Sequence, residues 1–400
     1  MREKVTICEV GPRDGLQMAK TRMATDAKIA WIAAMAEAGV REIEVGSFVP
    51  ARVIPQMADT EEVVRASLGN PGLHVVALAP NLRGAQNAYA AGAHRISLPI
   101  SVSEGHSRAN LNRSPDEQIA EIARIVAWAR EQPSRIEVIA TCSTVFGCSI
   151  DGVMPTDEVV RVAVGLAEAG LDMISLADTV GYGHPGQIRE VVRAVRREIG
   201  HRLVGLHLHD TTGLGIANAL AGVEEGIRCF DSALAGLGGC PFAPGASGNI
   251  VTEDLVFLLE SMGFDTGIDL QKLIETRRFL VESLPGEARH GQVAKSGIPR
   301  TYRAVEGVMG GAIGGGSMQR LRAMSHEENE FDDLGFSEMD LEAILGGGSF
   351  GFGMAAGQAM PGMPGMPGQS MGDFGQGGGL DPSGLGEGFG LPEIDPFEEY

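Results

Sequence analysis

Leu203-Val204-Gly205-Leu206-His207-Leu208-His209-Asp210 is the stretch from which the fold is read. Its apolar residues give it the character of a buried strand. Alternate side chains of a strand share a face, so His207 and His209 project side by side. Two imidazoles held that way are half of a metal site. A lone His-x-His is more often packed core than a ligand pair, so the segments around it decide.

Seven further runs of the same kind flank it: Val5–Val10, Glu42–Phe48, Leu73–Ala79, Arg95–Pro99, Ile136–Thr141, Met173–Ala177 and Cys229–Ala235. Helical periodicity fills the spaces between, as in Asp26–Ala38, Asp116–Arg130, Thr156–Ala169 and Gly186–Ile199. Ser114 and Thr156, with acidic residues in the following turn, read as helix starts. Gly39, Gly92, Gly170 and Gly226 read as helix C-caps. Eight strand–helix units between residues 5 and 263 predict an α/β protein, a TIM (β/α)8 barrel. A doubly wound open sheet is the competitor, but no Gly-x-Gly-x-x-Gly follows the first strand as a dinucleotide fold requires.

The charge is unevenly placed. The 400 residues carry 32 basic and 52 acidic side chains, and fifteen of the acids lie beyond Arg322, where there is no Lys or Arg at all. The preceding chain is therefore close to neutral, and the tail would repel a phosphate backbone, so nucleic acid is not an expected partner. Five cysteines without a Cys-x-x-Cys spacing argue against a disulfide framework or zinc knuckle and fit a reducing compartment. No leader pattern precedes Val5, and no apolar run approaches the roughly 20 residues that cross a bilayer. A soluble, cytoplasmic protein with no membrane partner is expected.

Three regions follow: a barrel with flanking helices over 1–300, a linker and acidic amphipathic segment over 301–345, and a Gly/Pro/Met-rich tail over 346–400. The last cannot bury a core and is expected to be disordered. The acidic segment, with Phe331, Leu334, Phe336 and Leu341 among its acids, is a candidate for docking a partner.

In such barrels the chemistry sits at the carboxyl ends of the strands. There the sequence places Arg13-Asp14 after strand 1, Glu44 within strand 2, Asp178 at the end of strand 6 and both histidines on strand 7. The loop around Cys240 follows strand 8. Each has a bland reading: a turn aspartate, an ion-paired glutamate, a helix cap, a small buried hydrophobe. Together on one rim they point to a site. Two imidazoles with a carboxylate and an amide oxygen suit Mg²⁺ or Mn²⁺ better than zinc. Such an ion stabilises a developing enolate or alkoxide, and Arg13 would add a fixed cation.

Four stretches carry a resemblance: Glu9-Val10-Gly11-Pro12-Arg13-Asp14-Gly15-Leu16-Gln17, Glu44-Val45-Gly46-Ser47-Phe48-Val49, Ser175-Leu176-Ala177-Asp178-Thr179-Val180-Gly181 and the run from Ala235 to Leu259. The chain resembles the 3-hydroxy-3-methylglutaryl-CoA lyases over about residues 3–285. These belong to the metal-dependent barrel lyases and synthases, and Gly236-Leu237-Gly238-Gly239-Cys240-Pro241-Phe242 is similar to their signature loop. The resemblance implies metal ligands at Asp14, His207, His209 and Asn249, and a substrate-orienting Arg13. It implies a catalytic Cys240 acting with a histidine such as His207, and supporting acids Glu44 and Asp178, with Glu253 at a further acidic position. Gln17, Lys20, Asn110 and Asn112 fall at substrate- or CoA-facing positions, the two asparagines in a loop. The implied reaction is retro-Claisen cleavage of 3-hydroxy-3-methylglutaryl-CoA to acetyl-CoA and acetoacetate, as in leucine degradation and ketone-body formation, by a homodimer.

Three departures bear on the substrate. An arginine of the lyases aligns with Ile139, their Gly-Cys-Pro-Tyr is Gly147-Cys148-Ser149-Ile150, and Thr212 and Leu214 stand where they carry tyrosine and glutamine. A related 3-hydroxy-3-methyl acyl-CoA, such as citramalyl-CoA, is therefore an alternative substrate. A condensing synthase of the same group and a non-catalytic scaffold are the rival functions.

Overall fold

Eight parallel strands close on themselves in chain order: β1 Thr6–Glu9, β2 Glu42–Ser47, β3 His74–Leu78, β4 Arg95–Ser101, β5 Glu137–Ser143, β6 Met173–Asp178, β7 Leu203–Leu208 and β8 Cys229–Ser232. Nine helices follow them around the outside: α1 Thr25–Glu37, α2 Thr60–Ser67, α3 Leu82–Ala91, α4 Glu104–Leu111, α5 Pro115–Arg130, α6 Thr156–Glu168, α7 Pro185–Ile199, α8 Gly215–Glu224 and α9 Thr252–Ser261. Three short helices, α10 Leu270–Glu275, α11 Arg278–Ser283 and α12 Gln292–Ser296, complete the described part. This computed structural model describes residues 2–239 and 248–302. The expected barrel is the observed fold. Among the described residues no helix is long and apolar enough to cross a membrane.

The strands are buried because both faces are covered. Ile43, Val75, Ile96, Ile174 and Leu206 are all inaccessible, as strands between a packed lumen and a helical layer must be. On α7 the apolar residues Ile188, Val191, Val192, Val195 and Ile199 recur at helical spacing and all are buried. Its opposite side carries Arg189 and Arg193, which pair with Glu224 and Glu225 at the end of α8. Ser114 forms the anticipated capping box with Glu117: the serine hydroxyl accepts from Glu117 N at 3.1 Å, and the Glu117 carboxylate accepts from Ser114 N at 2.7 Å. Gly39 closes α1 at φ +102°, and a Cβ there would meet the Gly267 carbonyl oxygen at 2.2 Å.

Some expectations are corrected. The start of α6 at Thr156 stands, although its cap is Pro155 and the Thr156 hydroxyl donates to Glu190 at 3.0 Å. β8 ends three residues early because Ala235 turns into the left-handed region at φ 59°. Asn110 belongs to α4 and Asn112 is its left-handed cap, where a loop was expected. Ser103 starts that helix by accepting from His106 N, and Asp151 accepts from Gly105 N at 2.8 Å.

The two ends of the lumen differ. At the amino-terminal end Arg95 pairs with Glu42 and, at 2.9 Å, with Glu137, forming an ionic floor. Arg13, Asp14, His207 and His209 gather at the other end.

Candidate metal centre and active site

The chain leaves β1 through a π-helical turn, Gly11–Gly15, in which Val10 O accepts from both Asp14 N (2.7 Å) and Gly15 N (3.3 Å). The wide turn delivers Arg13 and Asp14 together to the rim, as π-bulges at functional sites do. Arg13 Nε donates to Glu44 Oε2 at 2.5 Å, and its Nη1 donates to Asp14 Oδ1 at 2.7 Å. Gln17 Nε2 donates to the same Asp14 oxygen at 2.9 Å. Asn249 Nδ2 reaches the other one, Oδ2, at 2.8 Å and Leu237 O at 3.2 Å. Asn249 is itself fixed by a backbone bridge to His209, with Ile250 N donating to Leu208 O at 3.1 Å.

Across this carboxylate stand the imidazoles. His207 Nε2 and His209 Nε2 are 3.0 Å apart, and lie 3.9 and 3.8 Å from Asp14 Oδ2. One ligand atom from each of Asp14, His207 and His209 falls within 4.8 Å of the others, and all three residues are buried. Behind His207, Nδ1 is 3.1 Å from Asp231 Oδ2. Burial alone would raise the Asp14 pKa, but Arg13 and the two imidazoles hold it well below the usual carboxylate range. Burial lowers the His209 pKa, favouring the neutral ring that can ligate. For His207 the same burial is outweighed by Asp231 and Asp14, and its pKa is raised.

These residues fit a divalent cation. Two imidazole nitrogens face each other across 3.0 Å beside a carboxylate, where only a proton or a metal relieves lone-pair repulsion. Asn249 Oδ1 is buried and has no hydrogen-bond partner among the described residues. A buried amide oxygen left this way costs free energy that a cation recovers.

The other expected site residues divide. Asp14, His207, His209, Asn249, Arg13, Glu44 and Gln17 form one connected cluster. Lys20, Asn110 and Asn112 are exposed and make no hydrogen bond to it among the described residues. Asp178 clasps the turn after β6: its carboxylate accepts from Tyr182 N and Gly183 N, both at 3.0 Å. Burial pushes its pKa up to about 6 despite those donors. Cys240 lies outside the described residues.

Two acids were given no role from sequence. Asp231 backs His207, and its signal was an acid amid Cys229-Phe230-Asp231-Ser232, the same signal that picked out Glu44. Glu9, fully buried, accepts from Gly11 N (3.0 Å), Leu234 N (2.8 Å) and the Thr252 hydroxyl (2.6 Å). It thereby ties the turn carrying Arg13 and Asp14 to the rim of β8. Glu253 holds that rim from the other side, accepting from Ala235 N at 3.0 Å and pairing with Arg277.

Comparison with known proteins identifies the family. The chain is 41% identical over 282 residues to the cytoplasmic 3-hydroxy-3-methylglutaryl-CoA lyase of Mus musculus, covering 70% of this chain and 82% of that one. It is 38% identical to the hydroxymethylglutaryl-CoA lyase of Bacillus subtilis, covering 74% and 98%. A solved HMG-CoA lyase from Acinetobacter baumannii, in complex with coenzyme A and 3-methylmalate, superposes with a TM-score of 0.70 at 39% identity, covering 76% and 98%. The HMGL-like family model matches residues 4–280, and the chain belongs to the HMGL-like family.

Proposed function

We propose that this protein is a carbon–carbon lyase that cleaves 3-hydroxy-3-methylglutaryl-CoA to acetyl-CoA and acetoacetate. The observation that carries the reading is the buried Asp14–His207–His209 group at the carboxyl end of the barrel, with Arg13 2.7 Å from Asp14. Asp14, His207, His209 and the Asn249 amide oxygen would hold Mg²⁺ or Mn²⁺. A hard divalent ion there supplies Lewis-acid polarisation of the substrate oxygens around the breaking bond.

In the cleavage the 3-hydroxyl loses its proton and C3 becomes a ketone. The C2–C3 bond breaks, and its electron pair passes into the thioester as an enolate, which is then protonated at C2. Arg13 is held on two sides, by Glu44 and Asp14, so its remaining N–H groups are aimed without reorganisation at the oxygen where the enolate charge develops. Glu44, itself buried, also balances the guanidinium charge. Cys240 takes part in the proton transfers, and Asp178 keeps the turn after β6 in place. Lys20, Asn110 and Asn112, at the surface, serve the CoA moiety. The cytoplasm is the place of reaction, in line with the description of the mouse relative.

One observation favours a second substrate. The lumen side of β5 presents Ile139 and Thr141, both partly accessible and uncharged. Such a wall suits a related 3-hydroxy-3-methyl acyl-CoA, such as citramalyl-CoA. Incubating the purified protein and Mg²⁺ or Mn²⁺ with a panel of hydroxyacyl-CoAs, with products identified by mass, tests both readings. Acetyl-CoA and acetoacetate from hydroxymethylglutaryl-CoA are expected, with loss on chelation. Preference for another ester establishes the second reading, and cleavage of none overturns both.

A further inference from the structure

We propose that Asp231 is a positioning residue of the metal centre, fixing the tautomer and ring plane of His207 so that Nε2 faces the cation. The proposal rests on the metal-site reading above and deepens it.

The backbone makes the arrangement. β7 and β8 pair in parallel with His207 directly beside Asp231, so both side chains leave the sheet on the lumen face at the same level. Their 3.1 Å contact is thus set by strand register rather than by two flexible chains finding each other. A carboxylate only accepts, so Nδ1 of His207 must carry the hydrogen, and the lone pair is left on Nε2. That nitrogen is the one facing His209 Nε2 at 3.0 Å and Asp14 Oδ2 at 3.9 Å.

The second imidazole gives an internal contrast. His209 Nδ1 is buried and has no hydrogen-bond partner among the described residues. Only its main chain is pinned, by the backbone bridge to Asn249. The two histidines therefore differ: His207 has a carboxylate behind it that fixes its tautomer, and His209 does not. Outer partners of this sort typically change metal affinity about 10- to 100-fold when removed.

Two variants and two readouts test the proposal. Asp231→Ala removes the acceptor. Asp231→Asn keeps the size and the fold, but its amide can also donate, which releases the tautomer. In metal-free protein labelled with ¹⁵N-histidine and held at a pH alkaline enough for the His207 ring to be neutral, the His207 signals, assigned with His207→Gln, should report Nδ1–H in the parent and a mixture in both variants. Mn²⁺ affinity, read from the free-ion electron paramagnetic resonance signal, should fall about 10- to 100-fold in Asp231→Ala and by less in Asp231→Asn. An unchanged tautomer in both variants overturns the proposal, even if Mn²⁺ binds more weakly, because that outcome assigns Asp231 only its charge. Parent-like Mn²⁺ affinity in both variants also overturns it. A parent that binds no Mn²⁺ while keeping Nδ1–H through Asp231 contradicts the metal-site reading and leaves the orienting role standing. If Asp231→Ala does not fold, Asp231→Asn decides by the same two measurements.

Discussion

Replacing Glu9 by glutamine should make the protein's stability less dependent on pH. The Glu9 carboxyl is inaccessible and meets only neutral donors: two backbone N–H groups and the Thr252 hydroxyl. Burial pushes its pKa to about 8, the nearby Glu253 adds to the shift, and the three donors offset only part of it. An acid whose folded pKa is raised contributes stability that is fully present below its unfolded pKa and is lost as pH rises through the folded value. With an unfolded pKa near 4.5 and a folded one near 8, linkage gives a loss of about 3 kcal/mol between pH 5.5 and 8.5. That is a large share of the roughly 5–15 kcal/mol by which domains are stable. Glutamine keeps an oxygen for Gly11 N and Leu234 N, turns an N–H toward the Thr252 oxygen, and cannot ionise. Urea unfolding of parent and Glu9→Gln at both pH values, with chelator present, isolates this group because the other titrations cancel in the difference. The parent should lose about 3 kcal/mol relative to the variant across that range. A difference that stays flat within about 0.5 kcal/mol would show that the three hydrogen bonds fully offset burial, and the reasoning would fail.

Three further outcomes follow from the same geometry. Chelation should abolish cleavage and either Mg²⁺ or Mn²⁺ should restore it, while His209→Gln should weaken Mn²⁺ binding by at least about tenfold, read by titration calorimetry. Arg13→Lys keeps a charge but cannot span Glu44 and Asp14 while still facing substrate. Its kcat should fall about 10²- to 10³-fold with little change in KM, and a loss under tenfold in steady-state assays would argue against Arg13 at the enolate oxygen. Gly39→Ala forces a Cβ to 2.2 Å from a backbone oxygen at φ +102° and should cost about 3 kcal/mol, seen as a lowered thermal midpoint.

The barrel was legible because its signals are local. Continuous apolar runs mark strands covered on both faces, and the 3.6-residue period of α7 marks its buried side. Errors arose where a distant residue sets the local structure. β5 runs on to Ser143 because its pairing with β4 continues to Ser101, past Pro99. β8 stops early because Glu253, 18 residues later, holds Ala235 N in its left-handed turn. Asn110 became helical because Asp151, 46 residues from Gly105, holds the start of α4. The site divided in the same way. Rim position drew attention to Asp14, His207 and His209 and the resemblance added Asn249, and the structure brings these four side chains into one buried cluster. Asp231 was missed because its role lies in a register pairing that no spacing within β8 displays.

Residue type also fails to say what a buried acid does, since the neighbouring charge decides. Asp14 and Glu9 lie five positions apart around one turn, and both are buried. Asp14 has a guanidinium at 2.7 Å and two imidazoles within 4 Å, so it stays ionised and can ligate a cation. Glu9 has no cation among its hydrogen-bond partners, and its raised pKa favours a neutral clasp between the β1 turn and the β8 rim. Exchanging their environments would exchange their functions. A guanidinium placed beside Glu9 would ionise it, and removing Arg13 would strip Asp14 of its main support as an anion.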